Sequence, residues 1–146
     1  MKIREVMTKE VHVAGPQQTI REAATIMAQY DTGALPVGDD DRLLGIITDR
    51  DIAVRAVAEG KSADTLVSDV MSREKILYCF EDEGVEHVTR NMGDNKVRRL
   101  PVMNREKRLV GIVSLGDLAL HSKPKTSGQA IAAISQPGGA HDQTLH

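Results

Sequence analysis

Two short stretches carry the residue types from which chemistry could be built. Leu44-Gly45-Ile46-Ile47-Thr48-Asp49-Arg50-Asp51 returns later as Val110-Gly111-Ile112-Val113-Ser114-Leu115-Gly116-Asp117. In both, an apolar residue, a glycine and two β-branched residues lead to a hydroxyl, with an aspartate three positions on. A buried strand that turns into a helix at the hydroxyl would bring Thr48 to Asp51, and Ser114 to Asp117, at the helix mouth. Arg50 stands beside the first pair, and Arg98-Arg99 precede Leu100-Pro101-Val102 in the second copy. Such a set suits binding rather than turnover, because no nucleophile has an adjacent base and no Gly-Lys-Ser/Thr phosphate loop occurs. The same two pairs also supply the hydroxyl and acidic halves of a helix-capping box, worth about 1 kcal/mol per helix.

Other reactive residue types lack a pattern. His12, His87, His121, His141 and His146 show no metal-ligand spacing, so no metal site is expected. Asp39, Asp40 and Asp41 follow Gly38 and read as a solvated hairpin turn, since no further ligand comes at calcium-loop spacing. Cys79 has no partner cysteine and no neighbouring base, which predicts a packed, inert thiol.

The elements that must position these residues come as a doubled series. Val6-Met7-Thr8 is echoed by Val70-Met71-Ser72, and Leu35-Pro36-Val37 by Leu100-Pro101-Val102. In the first copy Ile3, Val6 and Met7 share one face of a short helix, and Val11-His12-Val13 alternates as a strand before the Gly15-Pro16 turn. Thr19 with Glu22 opens a helix whose buried stripe is Ile20, Ala23, Ala24 and Met27. Ala34 to Val37 is a strand with an edge-type proline. Leu43 to Ile47 reads as a strand buried on both faces, and a helix from Thr48 turns Ile52, Ala53 and Ala56 inward. The second copy repeats this: strand Ile76-Leu77-Tyr78, helix Val85 to Asn91, strand Val97 to Val102, turn at Asn104, strand Leu109 to Val113, helix from Asp117. Residues 1–65 and 66–122 are thus two related units. Residues 123–146 have no counterpart and read as a tail, in which Ala130, Ile131 and Ile134 suit a helical turn or two that docks.

The bulk figures bound the function classes. The chain has 146 residues, 40% apolar and 27% charged, ordinary for a soluble globule. Units of this size are marginal alone and are expected to share a core. Aromatics make up 2% with no Trp, the net charge is −2 and the pI is near 6.2. These figures argue against a nucleic-acid or anionic-membrane surface. One cysteine, no signal-peptide pattern and no spanning run predict a cytoplasmic protein.

Taken twice and in order, Val-Met-Thr/Ser, Leu-Pro-Val and Gly-x-x-Thr/Ser-x-x-Asp resemble the cystathionine-β-synthase (CBS) domain, and the tandem resembles a Bateman module. The resemblance covers residues 1 to 121. It implies an α/β (α+β) fold of two β-α-β-β-α units packed sheet to sheet about a pseudo-twofold axis, commonly dimerised into a disc. It also implies clefts between the units that take AMP, ADP, ATP, S-adenosylmethionine or NAD as regulatory ligands, with no obligatory cofactor. Asp51 and Asp117 fall at the family position that would hold the ribose diol, whose two hydroxyls a carboxylate can accept together. Thr48 and Ser114 stand before helix N-termini that favour phosphate. Arg98 and Arg99 are similar to basic positions that contact phosphate in the gamma subunit of AMP-activated kinase, and Arg50 is a third candidate phosphate partner. The adenine would lie against Val13, Ala34, Ile47 and Tyr78.

Two functions follow. One is a stand-alone regulatory sensor that binds an adenosine-containing ligand and signals to a partner protein. The other is a ligand-free dimeric scaffold in which the carboxylates serve only as caps. An enzyme and a nucleic-acid binder rank below both.

Overall fold

In the computed structural model, residues 1–73 and 76–136 are described. The chain forms two compact units, Val11–Ile76 and the chain from Leu77 onward together with Met1–Glu10. The sequence repeat and the compact unit are therefore different divisions of the chain, because the opening ten residues pack with the second copy.

In the unit Val11–Ile76, α1 (Ile20–Tyr30) is followed by the antiparallel pair β1 (Ala34–Asp39) and β2 (Arg42–Thr48). Thr19 caps α1 with Glu22, as expected. The buried stripe holds Ile20, Ala23 and Met27, but Ala24 is exposed and Ile26 packs on the core instead. The β1–β2 turn places Asp40 and Asp41 at positive φ, 48° and 64°, the handedness a two-residue hairpin requires. β2 is half-buried at Leu43, Leu44 and Ile46 and buried at Gly45 and Ile47, not buried on both faces throughout. It runs into α2 (Asp49–Ile52), which continues as a π-turn over Ala53–Val57. The wider turn leaves Ala53 exposed and only Ala56 fully inward.

The other unit has a three-stranded sheet. β3 (Cys79–Phe80) lies parallel to β4 (Arg99–Met103), and β4 is antiparallel to β5 (Leu109–Ser114). α3 (Val85–Asn95) precedes β4, and α4 (Leu115–Ala119) follows β5. The expected strand at Ile76-Leu77-Tyr78 lies further on, at Cys79–Phe80, because the buried register pairs Cys79 with Val102. Its counterpart at Val11-His12-Val13 shrinks to one bridge, Ala14 to Val37. There Gly15-Pro16 breaks the pairing, and His12 stacks on Tyr30 with ring centroids 3.3 Å apart.

Each unit closes a core of its own. Met71, Val70 and Val67 complete the first, and Ile3 is fully buried in the second. The Val-Met-Thr/Ser segments do this by pairing with the glycine-bearing strands. Ser72 exchanges both backbone hydrogen bonds with Ile46 (2.9 and 3.1 Å), and Thr8 does so with Ile112 (2.9 and 3.0 Å). A Cβ on Gly45 would sit 2.5 Å from the Ser72 carbonyl oxygen, and one on Gly111 would sit 3.0 Å from the Thr8 carbonyl oxygen and 2.6 Å from Met7 Sδ. The glycine of the repeated motif is thus required by the approach of another backbone.

The tail is more ordered than a turn or two. α5 (Pro124–Ser135) packs on α3, where Gly93 lets the backbone of Ala130 come so close that a Cβ would meet its Cα at 2.9 Å. Residues 137–146, with His141 and His146, lie outside the described residues. Glu86 on α3 accepts from the Lys123 backbone N–H at 2.5 Å and so caps α5 from outside. The neighbouring Thr126 hydroxyl, then the Lys123 amide, hold the Glu86 carboxyl below its ordinary value.

Gly45→Ala and Gly111→Ala should each destabilise by about 1–3 kcal/mol through overpacking, read by urea unfolding. Because the folded Glu86 carboxyl is depressed, its contribution is present above the ordinary glutamate range and lost as pH falls through the folded value. The difference in melting temperature between the native chain and Glu86→Gln should therefore shrink as pH falls below the ordinary glutamate range.

Candidate functional site

Each repeated motif ends at a strand-to-helix mouth built in the same way. Thr48 is extended (φ −118°, ψ 163°) and its hydroxyl accepts from the Asp51 N–H at 3.0 Å. Asp51 Oδ2 accepts in return from the Thr48 N–H at 2.9 Å. Ser114 and Asp117 repeat the arrangement at 3.1 and 3.0 Å. Both reciprocal caps are complete, so each hydroxyl and one carboxylate oxygen already serve the backbone. Oδ1 of each aspartate takes no part in the cap.

The strand opposite each mouth is set by the hairpin register, which pairs Ala34 with Thr48 and Arg99 with Ser114. Further bonds confirm the equivalence, since the Gly33 carbonyl accepts from the Asp49 N–H (2.9 Å) and the Arg98 carbonyl from the Leu115 N–H (2.8 Å). The structure thus brings Thr48, Arg50, Asp51 and Ala34 together in one unit, and Ser114, Asp117, Arg98 and Arg99 in the other. Arg50, Arg98 and Arg99 are exposed, and none makes an ion pair among the described residues.

The apolar candidates are less uniform. Ile47 is 0% exposed in the core, so its side chain presents no surface to an adenine. The alternation of β2 turns it inward while its neighbours Ile46 and Thr48 stay half-buried. Val13 is 37% exposed but lies beside Gly38, about 13 Å along β1 from Ala34 at strand spacing. Tyr78 is 42% exposed and meets Phe80 edge-on, with centroids 5.5 Å apart. Arg105 covers the Phe80 ring at 4.0 Å and chelates Asp82 through Nε (2.9 Å) and Nη2 (2.8 Å). That guanidinium is the main reason the Asp82 carboxyl sits below its ordinary range.

Asp49 is the residue that reading the motif alone passes over. Its Oδ1 accepts from the Arg50 N–H at 2.8 Å, and its Oδ2 lies 2.9 Å from where a Cβ on Gly33 would be. The signal for it was the contrast with Leu115 at the same place in the second copy. Among the described residues no group of three His, Cys, Asp or Glu side chains is placed to hold a metal ion. No helix among them is long and apolar enough to cross a membrane.

A helix mouth of this form, repeated with the flanking Leu-Pro-Val strands, defines a class of tandem domain. The CBS domain family model matches residues 3–57 and again 67–123, and the chain belongs to that family as a tandem pair. It is 41% identical over 134 residues to the CBS domain-containing protein YhcV of Bacillus subtilis, covering 91% of this chain and 94% of YhcV. Among solved structures it resembles Hypoxic Response Protein I with two coordinated zinc ions, at TM-score 0.75 and 36% identity over 84% of this chain and all of that one. The CBS domain pair of MJ0100, solved with 5′-methylthioadenosine and S-adenosyl-L-methionine, has TM-score 0.73 and 31% identity over 82% of this chain and 94% of that one.

Burial pushes the Cys79 thiol up to about 12, helped by the Glu83 charge. At pH 7.5 a thiol-specific reagent should therefore leave Cys79 unmodified in the native protein, and modify it fully in denaturant.

Proposed function

We propose that this chain is a regulatory module that binds adenosine-containing ligands at its helix mouths and passes occupancy to a partner protein. The observation that supports it most is the twice-built carboxylate, held through Oδ2 in the cap, with exposed Arg50 next to Asp51 in the chain and exposed Arg99 paired with Ser114 across the hairpin. A carboxylate so fixed accepts ribose hydroxyls without paying to order itself first. The MJ0100 pair, crystallised with two adenosine compounds, supports the ligand class. AMP, ADP and ATP are the nucleotides that Arg98 and Arg99 suit. Binding regulates only if the ligand prefers one arrangement of the chain or its homodimer over another. The relative YhcV carries the name of its domain rather than of an enzyme, in keeping with a non-catalytic role.

A second reading rests on the complete caps, which give both aspartates structural work without any ligand. In that reading the chain is a dimeric scaffold.

The two separate cleanly with Asp51→Asn and Asp117→Asn, which keep an oxygen for the cap and lose the charge. Calorimetry against AMP, ADP, ATP and S-adenosylmethionine should give micromolar binding in the native chain. Each variant should lose roughly tenfold or more in affinity with a melting temperature nearly unchanged. Silence from every adenosine compound would leave only the scaffold.

A further inference from the structure

α3 and α5 meet through faces of another make than the core. We infer that α5 is a releasable cover: it lifts from α3 as one piece while the rest of its compact unit stays folded, and uncovers the outer face of α3. The inference does not rest on the binding function.

The face of α3 turned to α5 holds Glu86, Thr89 and Gly93, three and four residues apart, whereas Val85, Val88 and Met92 go to the core. The buried residues of α5 are Thr126, Ser127 and Ala130. The buried contact is therefore small and polar, the composition of an interface that parts and re-forms. Two of its hydroxyls are satisfied without the other helix. Thr89 donates to the Val85 carbonyl at 2.7 Å, and Ser127 lies 3.3 Å from the Lys123 and Pro124 carbonyls. The tie across the contact is the Glu86 carboxylate, whose Oε1 accepts from the Lys123 N–H, with the Thr126 hydroxyl beside it.

Docking also leaves polar groups unserved. Glu86 Oε2 and Ser122 Oγ are buried with no hydrogen-bond partner among the described residues. Such groups weigh against the closed state, and water satisfies them when α5 lifts. The open state has a precedent within the chain. α1 and α3 are both 11 residues long, so Ala24 and Ala28 stand where Thr89 and Gly93 do, and both are exposed. A helix of the repeat thus stays folded with that face bare.

Hydrogen exchange of the full chain, read amide by amide, tests the release. Amides 128–135 of α5 should be protected, yet exchange roughly a hundredfold faster than those of β4 and β5 and with a weaker urea dependence. Glu86→Ala removes the tie, and Gly93→Ala sets a methyl against the Ala130 backbone while favouring the α3 helix itself. Each should speed α5 exchange roughly tenfold. Thr89→Cys places a thiol under the cover. It should react with a thiol reagent in the folded chain, and about tenfold faster when combined with Glu86→Ala. One exchange rate and one urea dependence shared by α5, β4 and β5 would overturn the inference, as would a thiol at position 89 that stays silent until the chain unfolds. So would α5 amides without protection in the native chain, or α5 exchange that neither Glu86→Ala nor Gly93→Ala accelerates.

Discussion

The approach of one backbone to a glycine is the constraint from which the rest follows. Ser72 and Thr8 can pair with Ile46 and Ile112 only because Gly45 and Gly111 have no side chain in the way. That pairing carries Met71 and Val70 into one core and Ile3 into the other, supplying apolar area that units this small need. It also fixes where β2 and β5 end, and so where Thr48 and Ser114 stand as the chain turns into a helix. A substituent at either glycine would act on the core and on the mouth together.

In the proposed function the mouth does two jobs with one side chain. A capping box uses the hydroxyl as an acceptor and one of the two carboxylate oxygens, which leaves the other oxygen on a side chain whose orientation the cap holds. Orientation is what a surface carboxylate usually lacks, since a free rotor loses entropy on binding. Structural and binding roles are therefore not rivals for Asp51 and Asp117. In the proposed function the cap is what would hold the remaining oxygen ready for a ligand.

α5 shows how a segment without a repeat counterpart is recruited. It has few strong apolar residues, so its helix depends on docking more than on its own propensity. Gly93 and Ala130 permit close approach, and Glu86 supplies the cap that Lys123 lacks. None of these partners is near it in sequence. This is why residues 123–146 read as a tail with at most two helical turns.

What could be read from the residues alone was whatever depends on local spacing. The doubled motif, the Thr19–Glu22 box, the paired caps and the hairpin at Asp40-Asp41 are all set within a few residues. Tertiary packing decided the rest, because it depends on which backbone arrives from elsewhere. The arrival of Thr8 and Ser72 divided the chain at Val11 and Leu77 instead of at the repeat boundary. Parallel pairing to Val37 and Val102 moved the entry strands onto Ala14 and Cys79. The pleat buried Ile47, and the turn into the helix set Asp49 beside Gly33. Spacing along a chain determines a local hydrogen bond, but only the fold determines which side chain fills the space beside it.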